Sequence, residues 1–139
     1  MVVRKTAYAF NVTRQSFLAT QLRVARSHQQ RLIGLIGTPA SRFQSGAGLW
    51  IVPCHGVHTI GMRYPIDVIY LDSNRHVLRI DHAVQPWRFT PVLVEAATVL
   101  ELPAHTVWGT GTVVGDEIEI TVTEREDDAA REPHPATRA

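Results

Sequence analysis

Two clusters of side chains, and a few single residues, have the types and spacing to do chemistry in this 139-residue sequence. The first cluster is Cys54, His55 and His58. Thiolate and imidazole are common zinc ligands; a closed zinc site takes four of them and a catalytic site takes three plus water. On an extended strand a separation of three sends His55 and His58 to opposite faces, whereas on a turn they converge. The remaining ligands would have to come from His76, His82, Asp67 or Asp72, and no standard spacing links these to the pair. The expectation is therefore no metal and no cofactor, with His55 and His58 as the candidates if a metal is held. The simpler reading packs His58 at a strand end, hydrogen-bonded to the backbone. Cys54, next to Pro53, reads as a small buried hydrophobe rather than half of a Cys–His nucleophile pair.

The second cluster is Arg63 and Asp67. Asp67 interrupts the apolar run Ile66 to Leu71, so its carboxylate must be paired, hydrogen-bonded or shifted toward neutrality. Arg63, four residues earlier, is the expected partner. As a functional group Asp67 would be a general acid or base in a cleft; as a structural group it would tie down a loop through backbone N–H groups, and this second reading is preferred. Glu101 lies between Leu100 and Leu102 and points away from both, toward solvent or a cleft. Asp72 and Asp116 sit in turn sequences and read as backbone acceptors.

The elements that carry these residues are mostly strands. Tyr8, Phe10 and Val12 alternate weakly, and Leu18, Thr20, Leu22 and Val24 alternate with period two, as in a half-buried strand. Ser27 and Gln30 have capping-box form and open the one expected helix, in which Leu32, Leu35 and Ile36 share a face and Gly37 supplies the stop. Leu49 to Val52, Ile66 to Leu71, Val77 to Ile80, Thr98 to Leu102 and Ile118 to Val122 read as further strands. Asp72-Ser73-Asn74 marks a hairpin turn, and Gln85 to Pro91 is a loop. The βαβ rhythm of a parallel sheet is not evident. The fold class expected is mainly β, an antiparallel β-sandwich or partly closed barrel with one short helix after the early strands. The domain spans residues 1–123; residues 124–139 lack large apolar side chains and are expected to form a disordered, charged tail.

The stretch from His58 to Asp72, His-Thr-Ile-Gly-Met-Arg-Tyr-Pro-Ile-Asp-Val-Ile-Tyr-Leu-Asp, resembles the signature of the domain-of-unknown-function (DUF) family 192. Arg31 with Gly34-Leu35-Ile36, Val99 to Ala104 and Gly115-Asp116 follow the family's order over roughly residues 17–122. Many members carry Trp-Met-Lys-Asn-Thr where this chain has His58 to Met62, so a role for that Trp or Asn does not transfer. His105 stands where a Gly is frequent, at a spot where Gly usually supplies a positive φ. The resemblance implies a compact β-sandwich-like domain and implies no activity.

A formal net charge of +1 gives no electrostatic case for nucleic acid or a membrane surface, so neither is expected as a partner. The single cysteine excludes an intrachain disulfide, and no signal peptide or membrane span is evident, so the cytoplasm is the default compartment. Three functions remain. The leading one is a small non-catalytic binding or accessory domain, with a polar pocket formed near His58, Met62, Arg63, Asp67 and Glu101 for a small ligand or peptide. The alternative is a metal-assisted hydrolase using His55, His58 and an acidic residue, which requires at least three converging ligands. The third is a structural partner, which requires an exposed apolar patch near Trp87 or Trp108; Trp87 itself is expected to pack within its loop.

Overall fold

The computed structural model describes residues 2–127. Eight strands form two sheets: β1 (Val2–Asn11), β2 (Ser16–Ala19), β3 (Gln21–Ala25), β4 (Ala47–Ile51), β5 (Ile66–Leu71), β6 (Val77–Val84), β7 (Thr98–Pro103) and β8 (Ile118–Asp127). The smaller sheet has the order β2-β1-β8 and the larger the order β3-β4-β7-β5-β6. The sheets do not close into a barrel. The mainly β class expected from the sequence holds.

The period-two segment from Leu18 to Val24 is two strands, one in each sheet. The chain breaks at Thr20, where the N–H groups of Thr20 and Gln21 both donate to Gly46 O, each at 2.9 Å. Gly48 permits this corner: a Cβ there would lie 2.9 Å from Ala19 Cβ. Pairing is antiparallel throughout except for β3 with β4, which run parallel and are joined through helix α1 (His28–Ile33). One βαβ unit is therefore present, contrary to the sequence expectation. Its helix is too short to show the usual rhythm, and β3 carries Gln21 and Arg23 on one side.

The two sheets enclose the first core, built from Leu18, Trp50, Ile69, Leu71, Leu100, Leu102 and Ile118 among others. The second core lies on the opposite face of the large sheet, around Leu35, Phe43, Leu49, Met62, Val68, Tyr70 and Val99. α1, the 3-10 turn Ala40–Arg42 and the long loops cover that face. Strand β5 is buried at every residue because both of its faces are covered, which explains its unbroken apolar run. Arg75 ties the layers together: its guanidinium lies 4.6 Å above the Trp50 ring, and Nη1 donates to Ile120 O at 2.8 Å.

Three local expectations change. The capping box forms, with Ser27 Oγ accepting from Gln30 N–H and Gln30 Oε1 accepting from Ser27 N–H. The helix stops at Gly34 rather than Gly37, so of its apolar face only Leu35 is buried, while Leu32 is 70% exposed. A second helix, α2 (Thr106–Thr110), follows His105, which adopts a left-handed φ of 74°. α2 has β-branched residues and a glycine, so propensity does not announce it. β8 runs past residue 123 to Asp127, paired along β1, and the rest of the expected tail lies outside the described residues.

Asp67 fastens α2 to the sheet. Its Oδ1 accepts from Ala83 N–H at 2.9 Å and its Oδ2 from Val107 N–H at 3.0 Å. Asp116 plays the same part at the β1–β2 turn, accepting from Asn11 Nδ2, Val113 N–H and Arg14 Nε. Burial pushes the Asp116 carboxyl up, but the bonds from Asn11, Val113 and Arg14 outweigh it and hold the group below its ordinary value.

Replacing Asp67 by Ala orphans the buried Val107 N–H and the part-buried Ala83 N–H, which now meet a carboxylate. The expected loss is about 3 kcal/mol of unfolding free energy, read by urea denaturation, with Asp67→Asn losing less. A loss below about 1 kcal/mol would contradict the anchoring role.

Candidate functional site

The strand pleat separates the two buried acids expected to share a pocket. Glu101 pairs across the sheet with Leu49 and Val68, whereas Asp67 pairs with Leu102. Cross-strand partners share a face. Glu101 therefore faces α1 and the loops, while Asp67 faces the interior between the sheets. Asp67 and Arg63 form no ion pair among the described residues: Asp67 spends both oxygens on backbone N–H groups, and Arg63 is exposed. Arg63 lines a different cleft with Pro39, Gly61 and Tyr64.

His58, Met62 and Glu101 do meet. They line a cleft of about 520 Å³ between α1 and the loop from Pro53 to His58, together with Arg31, Cys54 and His55. Leu32, Ile36, Ile51, Val57 and Val92 supply apolar walls. The loop that forms one wall is held by a second loop. Thr59 N–H donates to Arg88 O, and Thr59 Oγ1 donates to Gln85 O at 2.6 Å while accepting from Arg88 N–H. Thr90 Oγ1 accepts from Val57 N–H and donates to Val57 O, and Leu93 N–H donates to His55 O. Gly56 is required by this contact, since a Cβ would fall 2.8 Å from Pro91 O.

The polar groups of the cleft are unevenly satisfied. Arg31 Nη1 donates to Pro53 O at 3.1 Å and Nη2 donates to His28 Nδ1 at 2.8 Å. Arginine has only donors, so the His28 ring nitrogen accepts there. His55 donates from Nδ1 to Ala96 O at 2.6 Å, and Cys54 Sγ donates to Gly56 O. Three buried atoms on the lining have no partner: Arg31 Nε, His58 Nδ1 and Glu101 Oε2. His58 Nδ1 makes no backbone bond among the described residues, and the ring lies 6.2 Å from that of Phe89.

Burial pushes the Glu101 carboxyl up to about 8, outweighing the opposing pull from Arg23. At neutral pH it is therefore a neutral carboxylic acid that can donate as well as accept. Burial also raises the Cys54 thiol, with Glu101 adding to the rise, so Cys54 is a thiol and a poor nucleophile. Among the described residues no group of three or more His, Cys, Asp or Glu side chains is placed to hold a metal ion. The described residues therefore lack the convergence that a metal-assisted hydrolase on His55 and His58 requires.

Arg31 and the walls from α1 were not singled out as site residues by sequence reasoning. The available signal was the early Gly34, which shortens the helix and leaves Leu32 and Ile36 facing the cleft. Trp87 is 65% exposed rather than packed in its loop.

Glu101 binds a proton in the folded chain over a pH range where the unfolded chain does not, so stability falls as pH rises from 4.5 toward about 8. The slope approaches about 1.4 kcal/mol per pH unit. Urea unfolding of the native chain and of Glu101→Gln across that range checks this: the Gln variant is expected to lack the decline. Parallel curves for the two proteins would contradict it.

Comparison with known proteins adds family and fold. The DUF192 family model, described as an uncharacterized ACR, matches residues 10–120. A protein of Thermococcus sibiricus described only as a UPF0127 protein is 30% identical over 119 residues, covering 82% of this chain and 75% of its own length. A Novosphingobium aromaticivorans protein of unknown function superposes with a TM-score of 0.69 at 18% identity, covering 82% of this chain and 83% of the other. A Sinorhizobium meliloti protein provisionally described as a transcription regulator superposes with a TM-score of 0.67 at 20% identity, covering 86% and 95%. These two similarities concern fold alone. No helix among the described residues is long and apolar enough to cross a membrane. The match across most of the folded domain, in the order that the His58–Asp72 stretch suggested, means that the chain belongs to the DUF192 family.

Proposed function

We propose that the protein is a non-catalytic binding or accessory module whose ligand occupies the cleft between α1 and the Pro53–His58 loop. One observation carries this reading: Arg31 Nε, His58 Nδ1 and Glu101 Oε2 are buried without partners, and all three belong to the lining of one cleft. Leaving such groups unmade costs about 1–3 kcal/mol each, so their concentration at one place needs a reason, and a ligand supplies it. A larger cleft of about 700 Å³ on the other side of Ile33–Ile36 has no such atom on its lining. The size and largely apolar walls of the chosen cleft suit a small organic ligand. The lone Cys54, held as a thiol, fits a cytoplasmic setting.

A second reading rests on a separate observation. Trp87, Phe89, Val92 and Val94 are each more than half exposed along the loop before β7, as a protein-contact surface would be.

A fragment library titrated onto the methyl-labelled chain tests the first reading by NMR. Binders are expected to shift Ile51, Val57 and Met62, and Val92→Trp at the rim is expected to weaken them about tenfold, about 1.4 kcal/mol. Fragments that collect at other surfaces and ignore Val92→Trp would contradict it.

A further inference from the structure

We infer that the ligand of this cleft is a small monocarboxylate with an aliphatic or aryl body, its carboxylate held between the Arg31 guanidinium and the carboxyl group of Glu101 acting as a donor. The inference rests on the binding reading and adds the chemistry of the ligand to it.

Charge is the first argument. Glu101 is the only acidic residue on the lining, and Arg31 forms no ion pair with an acid among the described residues. A carboxyl that stays protonated at neutral pH leaves Arg31 as the permanent charge of the cleft. A cationic ligand would meet that charge and would also have to ionise a fully buried acid. An anion meets the charge favourably and leaves the acid neutral.

Hydrogen-bond capacity is the second argument. Arg31 has committed Nη1 to Pro53 O and Nη2 to His28, and its Nε remains a buried donor. Arginine recognises carboxylates through such planar donors. A protonated Glu101 offers one O–H donor, and an acid–carboxylate pair sharing a proton is a strong, short, charge-assisted bond. A phosphate would carry more charge than one guanidinium can offset. The apolar body then lies along Leu32, Ile36, Val57 and Val92, which explains why α1 leaves Leu32 uncovered.

The groups that bear on the ionisation of Glu101 come from several elements. Leu49 and Val68 flank it across the strands and carry no charge. Arg23 on β3 acts on it directly, and it acts in turn on Cys54 and on Tyr64. His28, Arg31, His55 and His58 line the same cleft. Because Glu101 shares the cleft with these groups, the variant at Glu101, and not pH alone, isolates its part.

Three probes with the same six-carbon body separate the possibilities: hexanoate, hexan-1-ol and 1-aminohexane, each titrated onto the full methyl-labelled chain by NMR near neutral pH. Hexanoate is expected to bind the cleft about tenfold more tightly than either of the others. Arg31→Gln is expected to remove that preference, and Arg31→Lys to keep part of it. Glu101→Gln, still a donor, is expected to retain hexanoate binding and to lose less affinity than the native chain when pH is raised past about 8, where Glu101 ionises. Tighter binding of 1-aminohexane, or hexanoate affinity unchanged in a folded Arg31→Gln chain, would overturn the inference. If hexan-1-ol binds as well as hexanoate, the carboxylate falls while the cleft reading stands. If none of the three shifts the cleft methyls, both fall.

Discussion

Glu101 lies on the central strand of a five-stranded sheet, covered on its own face by α1 and the loops, with one carboxyl oxygen that no donor reaches. A charge in that position would need a partner, and the opposing pull of Arg23 does not offset the burial. The group responds by holding its proton. Much of what distinguishes this face from the opposite one follows. The sheet presents Glu101 and Ile51 to the cleft above it. α1 is short, contributes no fully buried residue and leaves its apolar side facing a gap rather than a core.

Asp67 shows the opposite solution one strand away. It is equally inaccessible, yet each of its oxygens meets a backbone N–H, one from the end of β6 and one from the start of α2. A carboxylate used in this way is a fixed structural joint. The two acids are near neighbours in the sheet but on opposite faces, and the alternation of the pleat turns one toward α2 and the other toward the cleft. Asp116, with three donors around it, belongs with Asp67.

Much of the fold was legible from residue pattern. The all-buried strand Ile66–Leu71 showed as an unbroken apolar run, the Asp72 turn as Asp-Ser-Asn, and the start of α1 as Ser27 with Gln30. Features that depend on distant contacts were not. The segment around Thr20 reads as one strand because alternation continues across the corner; only the approach of Gly46 and Gly48 reveals that it changes sheets. α2 depends on Asp67, forty positions away in sequence, for an N–H acceptor, and its own residues favour strand. In the site, the spacing of Arg63 and Asp67 suggested a pair that the strand geometry sends apart. Glu101 was legible as pointing away from Leu100 and Leu102, but its burial was not, because the cover comes from α1 and loops whose placement no local pattern specifies.

The central claim is that Glu101 is a neutral acid at the floor of the cleft. A direct titration of its side-chain carboxyl carbon by NMR, in the chain free of added ligand, tests it. The midpoint is expected at about 8, with the resonance at its protonated position at neutral pH. A midpoint near the ordinary carboxyl value of 4.5 would mean that Glu101 is ionised and solvated or paired, and the account of the cleft would be wrong.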